Sequence, residues 1–344
     1  MNTLSTRLYK ALNNPVFTQS KPSYSHHPSG ASIEVVDKQG KRIIGECNRK
    51  LYYQSEKLGA TDYGETEWDL SAKMGDKFHE LAVDLIHNYG YRMGLQLIAK
   101  EQPYFDPVHN VSGRIDMIAY DLENKEPVGI EVKSVGEWKA KAVTEQPADE
   151  HILQAMLYLD WYDRYTSDSS QKITKWYIWY LARSESWALK GKEHGSPFTQ
   201  MWDFYVTLDE GSPIVHSAKG SIKLDKFNVA GIYARQKALD EAKANRQLPD
   251  RDYELQYSEE KLATLYRLDL LEYKKDKEPI EKWLKKGAKP GTLKVEMGDF
   301  NCKMCPYKSL CWNIANINTG SEPDHYVKFN KISKDDQKPD TLFI

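Results

Sequence analysis

The stretch VSGRIDMIAYDLENKEPVGIEVKSV, residues 111–135, decides the fold. Val111 to Asp121 and Gly129 to Val135 are short and β-branched, and the run LENKEP between them is turn-like. They read as two strands, the second returning alongside the first. Side chains alternate across a strand, so Glu131 and Lys133 share one face while Ile130 and Val132 point into the core. Asp116 sits on the first strand. Two carboxylates and a lysine therefore converge on one spot.

Working outward, Met74, Phe78, Leu81, Leu85 and Tyr89 recur at helical spacing and predict an amphipathic helix from about Ala72 to Met93. A short helix is expected from Gly45 to Leu58, carrying Cys47, and another from about Asp149 to Tyr165. Thr174 to Ala182 (TKWYIWYLA) is a buried strand, and Thr199 to Leu208 is its partner. Residues 184–198 and 209–222 read as loops, and residues 13–30, rich in Pro, Ser and His, as an irregular lead-in. A long helix from Asn228 to Gln247 precedes charged helices over 253–286. The last twenty or so residues read as a tail. The order helix–β–β–helix–β–β makes an α/β core with helices added at both ends.

The 344 residues allow one large domain or two ordinary ones, and 40 % hydrophobic content suffices for a core. No stretch approaches ~20 consecutive apolar residues, so no membrane-spanning helix is expected. The N-terminus lacks the apolar segment of a secretory signal, which points to a reducing, cytoplasm-like compartment. A net charge of −2 neither announces nor excludes nucleic acid. Lys282, Lys285, Lys286 and Lys289 form a basic cluster best read as solvated surface.

The four cysteines are unevenly placed: Cys47 alone, then Cys302, Cys305 and Cys311 as C-x2-C-x5-C. Four thiols complete a ligand set for either structural Zn2+ or an iron–sulfur cluster. Such a site would clasp the N- and C-terminal segments together.

Paired carboxylates such as Asp116 and Glu131 suit a hard cation, Mg2+ or Mn2+. A metal there would activate a water toward a phosphate, and Lys133 beside it would orient that water. Acid-x-Lys triplets also occur at Glu137–Lys139 and Glu241–Lys243, where they read as solvated pairs. Further residues add to the pattern. His79 lies one turn beyond Gly75 on the helix before the strands, and Gln154 and Tyr158 are four apart on one helical face, with His151 nearby. Taken singly, a histidine there is a satisfied structural residue, and the Gln/Tyr pair is ordinary packing.

In this order His79, Gly113-Arg-Ile-Asp116, Glu131-Val-Lys133 and Gln154-x3-Tyr158 resemble the RecB-like branch of the PD-(D/E)xK nucleases. Cys47 before the core and Cys302-x2-Cys305-x5-Cys311 after it resemble that branch's iron–sulfur members, which include the AddB-type subunit and the exonucleases of CRISPR adaptation. The resemblance covers roughly residues 45–312. It implies a restriction-endonuclease-like core, a mixed central sheet flanked by helices. It further implies catalytic Mg2+ or Mn2+ on His79, Asp116, Glu131 and the Val132 carbonyl, with Lys133 catalytic and Gln154 and Tyr158 supporting the site. A 4Fe–4S cluster on the four cysteines goes with it.

On this reading residues 1–44 are lead-in, 45–312 one nuclease domain with a helical insertion at 253–299, and 313–344 a tail. The expected activity is cleavage of DNA, single-stranded or frayed, from its ends with 5′→3′ polarity, in repair or recombination beside a helicase or other partner. The other reading is a DNA-end-binding accessory protein on the same fold, its inserted helices serving as a partner surface.

Overall fold

The computed structural model describes residues 25–38, 40–58, 62, 66–183, 200–271 and 273–312. The expected tail at 313–344, the loop at 184–198 and most of the lead-in lie outside them. The described residues divide into two compact units, those within 1–35, 44–46 and 65–241 and those within 36–43, 47–64 and 242–344.

The first unit holds a seven-stranded sheet. Its strands are β3 (Leu95–Asp106), β4 (Val111–Asp121), β5 (Glu126–Val135), β6 (Trp176–Ala182), β7 (Met201–Asp209), β8 (Ser212–Ser217) and β9 (Gly220–Lys223), in that spatial order. Two earlier strands, β1 (Ser32–Asp37) and β2 (Gly40–Gly45), make a separate pair. Only β5 and β6 run parallel; the other neighbours in the large sheet are antiparallel. The β4–β5 turn closes on Asp121, whose Oδ1 accepts the N–H groups of Glu123 and Asn124, both at 2.9 Å. A parallel pair needs a crossover, and here α3 (Glu137–Ala142) and α4 (Asp149–Tyr165) supply it.

The sheet has helices on both faces. Strand β6 shows the alternation: Trp176, Ile178 and Tyr180 join the core built with α4, and Tyr177, Trp179 and Leu181 join the other face. On that second face Ala82 and Ile86 of α2 (Thr66–Tyr89) meet Val128, Ile130 and Val132. Helix α4 is buried nearly all round from Ile152 to Leu159, while Asp149 and Glu150 at its start and Arg164 at its end suit its dipole. Each fully buried Leu, Ile or Met contributes roughly 1.5–3 kcal/mol.

Five strands depart from the sequence expectation, the first two being β1 and β2, which occupy the part of the expected lead-in from Ser32 onward. Residues 209–222, expected as a loop, hold β8 and β9, and Leu95–Asp106 forms an edge strand that the pattern did not announce. Its Lys-Glu-Gln-Pro run, 100–103, breaks the apolar alternation that Leu95, Leu97 and Ala99 begin.

The second unit includes α1 (Asn48–Ser55), α6 (Glu259–Arg267), α7 (Lys274–Lys285), α8 (Phe300–Lys303) and α9 (Lys308–Trp312). Helix α5 (Val229–Ala244) runs from the first unit into its boundary. The charged helices at 253–299 enclose a small core of their own, Leu262, Leu271 and Ile280 with Leu265, Leu284 and Val295 around them. Hydrogen bonds join the early and late segments. Asn48 N–H donates to Asp252 Oδ2 at 2.7 Å and Arg49 Nε to the Pro249 carbonyl at 2.6 Å. Ser309 donates N–H and Oγ–H to the two oxygens of Asp62 at 2.7 and 2.8 Å. The Tyr307 ring lies 5.4 Å from that of Tyr53, and its hydroxyl donates to the Leu58 carbonyl.

Candidate metal centre

The β4–β5 ladder stops at Met117↔Ile130. One residue on, Asp116 no longer faces a ladder partner, and its Oδ2 accepts the Val132 N–H at 2.8 Å. The strands part where their acidic residues lie, leaving the Asp116 carboxylate at the open end. Helix α2 passes β5 at Gly75, where even a Cβ would sit 3.4 Å from Ser134 Oγ, in ordinary contact. One turn later His79 places Nδ1 3.4 Å from Asp116 Oδ2. That interaction pushes the His79 pKa above the ordinary histidine value against the opposing effect of burial.

The third member comes from β3. Between the pairs Lys100↔Met117 and Gln102↔Ile115, Glu101 stands across from Asp116. Its φ of 49° is left-handed, a conformation uncommon for a residue other than glycine. Ligand atoms of His79, Glu101 and Asp116 lie within 4.8 Å of one another. One imidazole and two carboxylates suit a divalent cation of the Mg2+, Mn2+ or Zn2+ kind, so the donor set fits a metal. Glu101 is exposed and 3.4 Å from Arg114 Nη1; His79 and Asp116 are half-buried.

Glu131 stands beside this group and outside it. Lys133 Nζ donates to Glu131 Oε1 at 2.7 Å and to Gln154 Oε1 at 2.9 Å. Gln154 Nε2 donates to the same Glu131 oxygen at 2.8 Å and to the Tyr158 hydroxyl at 3.1 Å, and that hydroxyl donates to the Arg114 carbonyl. The Gln154 amide is thereby fixed in one orientation. Burial pushes the Glu131 pKa up to about 7, with Lys133 pulling the other way. Among the described residues its buried Oε2 has no hydrogen-bond partner, which leaves its desolvation without an offsetting bond there. Trp176 stacks on Tyr158 at 4.5 Å, and only glycine fits at 129, where a Cβ would fall 2.3 Å from the Trp176 ring.

The structure thus brings His79, Asp116, Glu131, Lys133, Gln154 and Tyr158 into one neighbourhood, with the Val132 N–H on Asp116. Glu101 escaped the sequence reading because its strand did.

The cysteines require a correction. Among the described residues, His79, Glu101 and Asp116 are the one group of three or more His, Cys, Asp or Glu whose ligand atoms gather closely enough for a metal. Cys47, Cys302, Cys305 and Cys311 form no disulfide and make no such group. Burial pushes the Cys47 thiol up to about 12 and the Cys302 thiol up to about 11. Neither a 4Fe–4S cluster nor its zinc alternative is supported, and the segments expected to be clasped by metal meet through Asp62, Asp252 and Tyr307 instead.

No family model matches this chain, and no curated protein matches it. The resemblance to RecB-like PD-(D/E)xK nucleases is therefore not upheld. The general architecture stands, a mixed central sheet flanked by helices. Among the described residues, no helix is long and apolar enough to cross a membrane.

Proposed function

We propose that this chain is a divalent-metal-dependent hydrolase that cleaves phosphodiester bonds in DNA. The observation that carries the reading is the meeting of His79, Glu101 and Asp116 within 4.8 Å beside a lysine held at 2.7 Å by a buried carboxylate. A bound Mg2+ or Mn2+ would polarise the phosphate and lower the pKa of a water.

His79, Glu101 and Asp116 are the proposed ligands. Glu131, with its unpartnered Oε2, is the proposed additional oxygen donor, and the Val132 carbonyl remains a proposed one. Lys133 has three N–H donors, of which Glu131 and Gln154 occupy two. The third is left for the attacking water or a phosphate oxygen, where a fixed ammonium stabilises developing negative charge. Gln154 and Tyr158 act through Glu131 and Lys133 as positioning residues. A single catalytic domain over residues 45–312 is part of this proposal.

End-directed attack on single strands and 5′→3′ polarity came with the resemblance alone, so the test reads them directly. Single-stranded DNA labelled at either end is incubated with Mn2+ and wild type, Asp116→Ala or Lys133→Ala. The expected outcome is cleavage by wild type and a loss of at least a hundredfold in each variant, in line with removing one preorganised charged group. Progressive shortening would show an exonuclease and its direction. Cleavage retained by both variants sinks the assignment; binding without cleavage by wild type favours an end-binding protein.

A further inference from the structure

His151, on the first turn of α4, takes no part in the chemistry above. Its partner is Tyr180, which pairs with Lys133 across the parallel β5–β6 ladder. Paired residues present their side chains on the same face of a sheet, and both reach α4, Lys133 through Gln154 and Tyr180 through His151.

The hydrogen bonds determine the tautomer. Tyr180 OH accepts the Ala148 N–H at 3.1 Å and lies 2.7 Å from His151 Nδ1. The backbone N–H can only donate, and Tyr180 is fully buried, so its one hydroxyl hydrogen must be satisfied within the protein. It goes to His151 Nδ1, which is then an acceptor, and the ring proton resides on Nε2. Burial, helped by the nearby ammonium groups of Lys133 and Lys139, holds the His151 pKa well below the ordinary value. The ring is therefore a neutral donor, locked in one tautomer, and no partner among the described residues takes its Nε2–H.

We infer that His151 Nε2–H is a substrate contact, donating to a phosphate oxygen of the DNA strand beside the scissile one, with Tyr180 as the residue that locks the tautomer. The inference rests on the proposed phosphodiesterase reading. A neutral donor suits this position because it recognises phosphate without adding a third cation next to Lys133 and Lys139.

The test separates binding from chemistry. Affinity for a labelled single-stranded 20-mer is measured by fluorescence anisotropy in EDTA, where nothing is cleaved. His151→Phe is expected to weaken it roughly tenfold or more, the loss of one hydrogen bond to a charged group. His151→Gln, whose amide N–H reaches about as far as Nε2, restores most of it. Nitrogen-15 imidazole spectra should show a single Nε2–H tautomer in wild type and a mixture in Tyr180→Phe, a readout that a merely structural role would not move. Equal weakening in the Phe and Gln variants, in step with lowered stability, overturns the inference, as does an Nδ1–H tautomer in wild type. If wild type cleaves DNA in Mn2+ but His151→Phe binds normally, the inference fails and the enzyme assignment stands. If wild type never cleaves yet binding depends on His151, the assignment fails and the phosphate contact stands.

Discussion

At the scale of single residues, the centre depends on a conformation that costs stability. Glu101 adopts φ 49° in the middle of β3, where an L-residue loses roughly 1–2 kcal/mol. The gain is a carboxylate opposite Asp116. Glu101→Gly should relieve the strain and hold or raise the urea midpoint, with Mn2+ affinity falling at least tenfold by isothermal titration. Glu101→Gln should lose the affinity without relief of strain. Unchanged Mn2+ binding in both variants would remove Glu101 from the centre. Glu131 presents the opposite case, a buried carboxylate whose second oxygen has no hydrogen-bond partner among the described residues.

At the scale of elements, β3 and α4 flank the centre, one carrying Glu101 and the other Gln154 and Tyr158. Asp106 ties them. Its buried carboxylate accepts from Arg164 Nη2 at 2.6 Å and Tyr165 OH at 2.9 Å, and lies 2.8 Å from His109 Nδ1. Burial alone would raise its pKa, but the bonds from Arg164 and His109 outweigh burial and hold it below the ordinary value of 3.8. A carboxylate lowered on folding stabilises the protein above its unfolded pKa, and that contribution is lost as pH falls through the folded one. Asp106→Asn should therefore cost about 1.5–3 kcal/mol at neutral pH. Below pH 3.8 the gap between variant and wild type should close, as followed by urea unfolding across pH. A gap that persists at low pH would mean that packing, not charge, makes the tie.

At the scale of the whole molecule, the chain joins its distant segments by polar bonds. In the second unit Asp62 receives Ser309 twice and gives its own N–H to the Pro306 carbonyl at 2.9 Å. Asp62→Ala should lower the unfolding free energy by about 1.5–3 kcal/mol, the worth of hydrogen bonds to a charged group, and an iron-specific chelator should leave wild type unchanged. A chelator-sensitive midpoint with a silent Asp62→Ala would restore a metal clasp. The net charge of −2 leaves any DNA contact to local groups such as Lys133 and Arg114.

Residues 111–135 alone determined the β4–β5 pair and the approach of Asp116 to Glu131 and Lys133, because a short turn and a two-residue period leave little freedom of register. The spacing of Gln154 and Tyr158 likewise sufficed for one helical face. Glu101 was decided only by tertiary structure: its strand carries Lys, Glu, Gln and Pro where alternation would be read, and it exists because β4 supplies its hydrogen bonds. The fate of the four cysteines was also decided there. Their spacing describes a ligand set, but meeting across more than two hundred residues depends on the packing between, and that packing brings Asp62 to Ser309 and Asn48 to Asp252 without gathering the thiols.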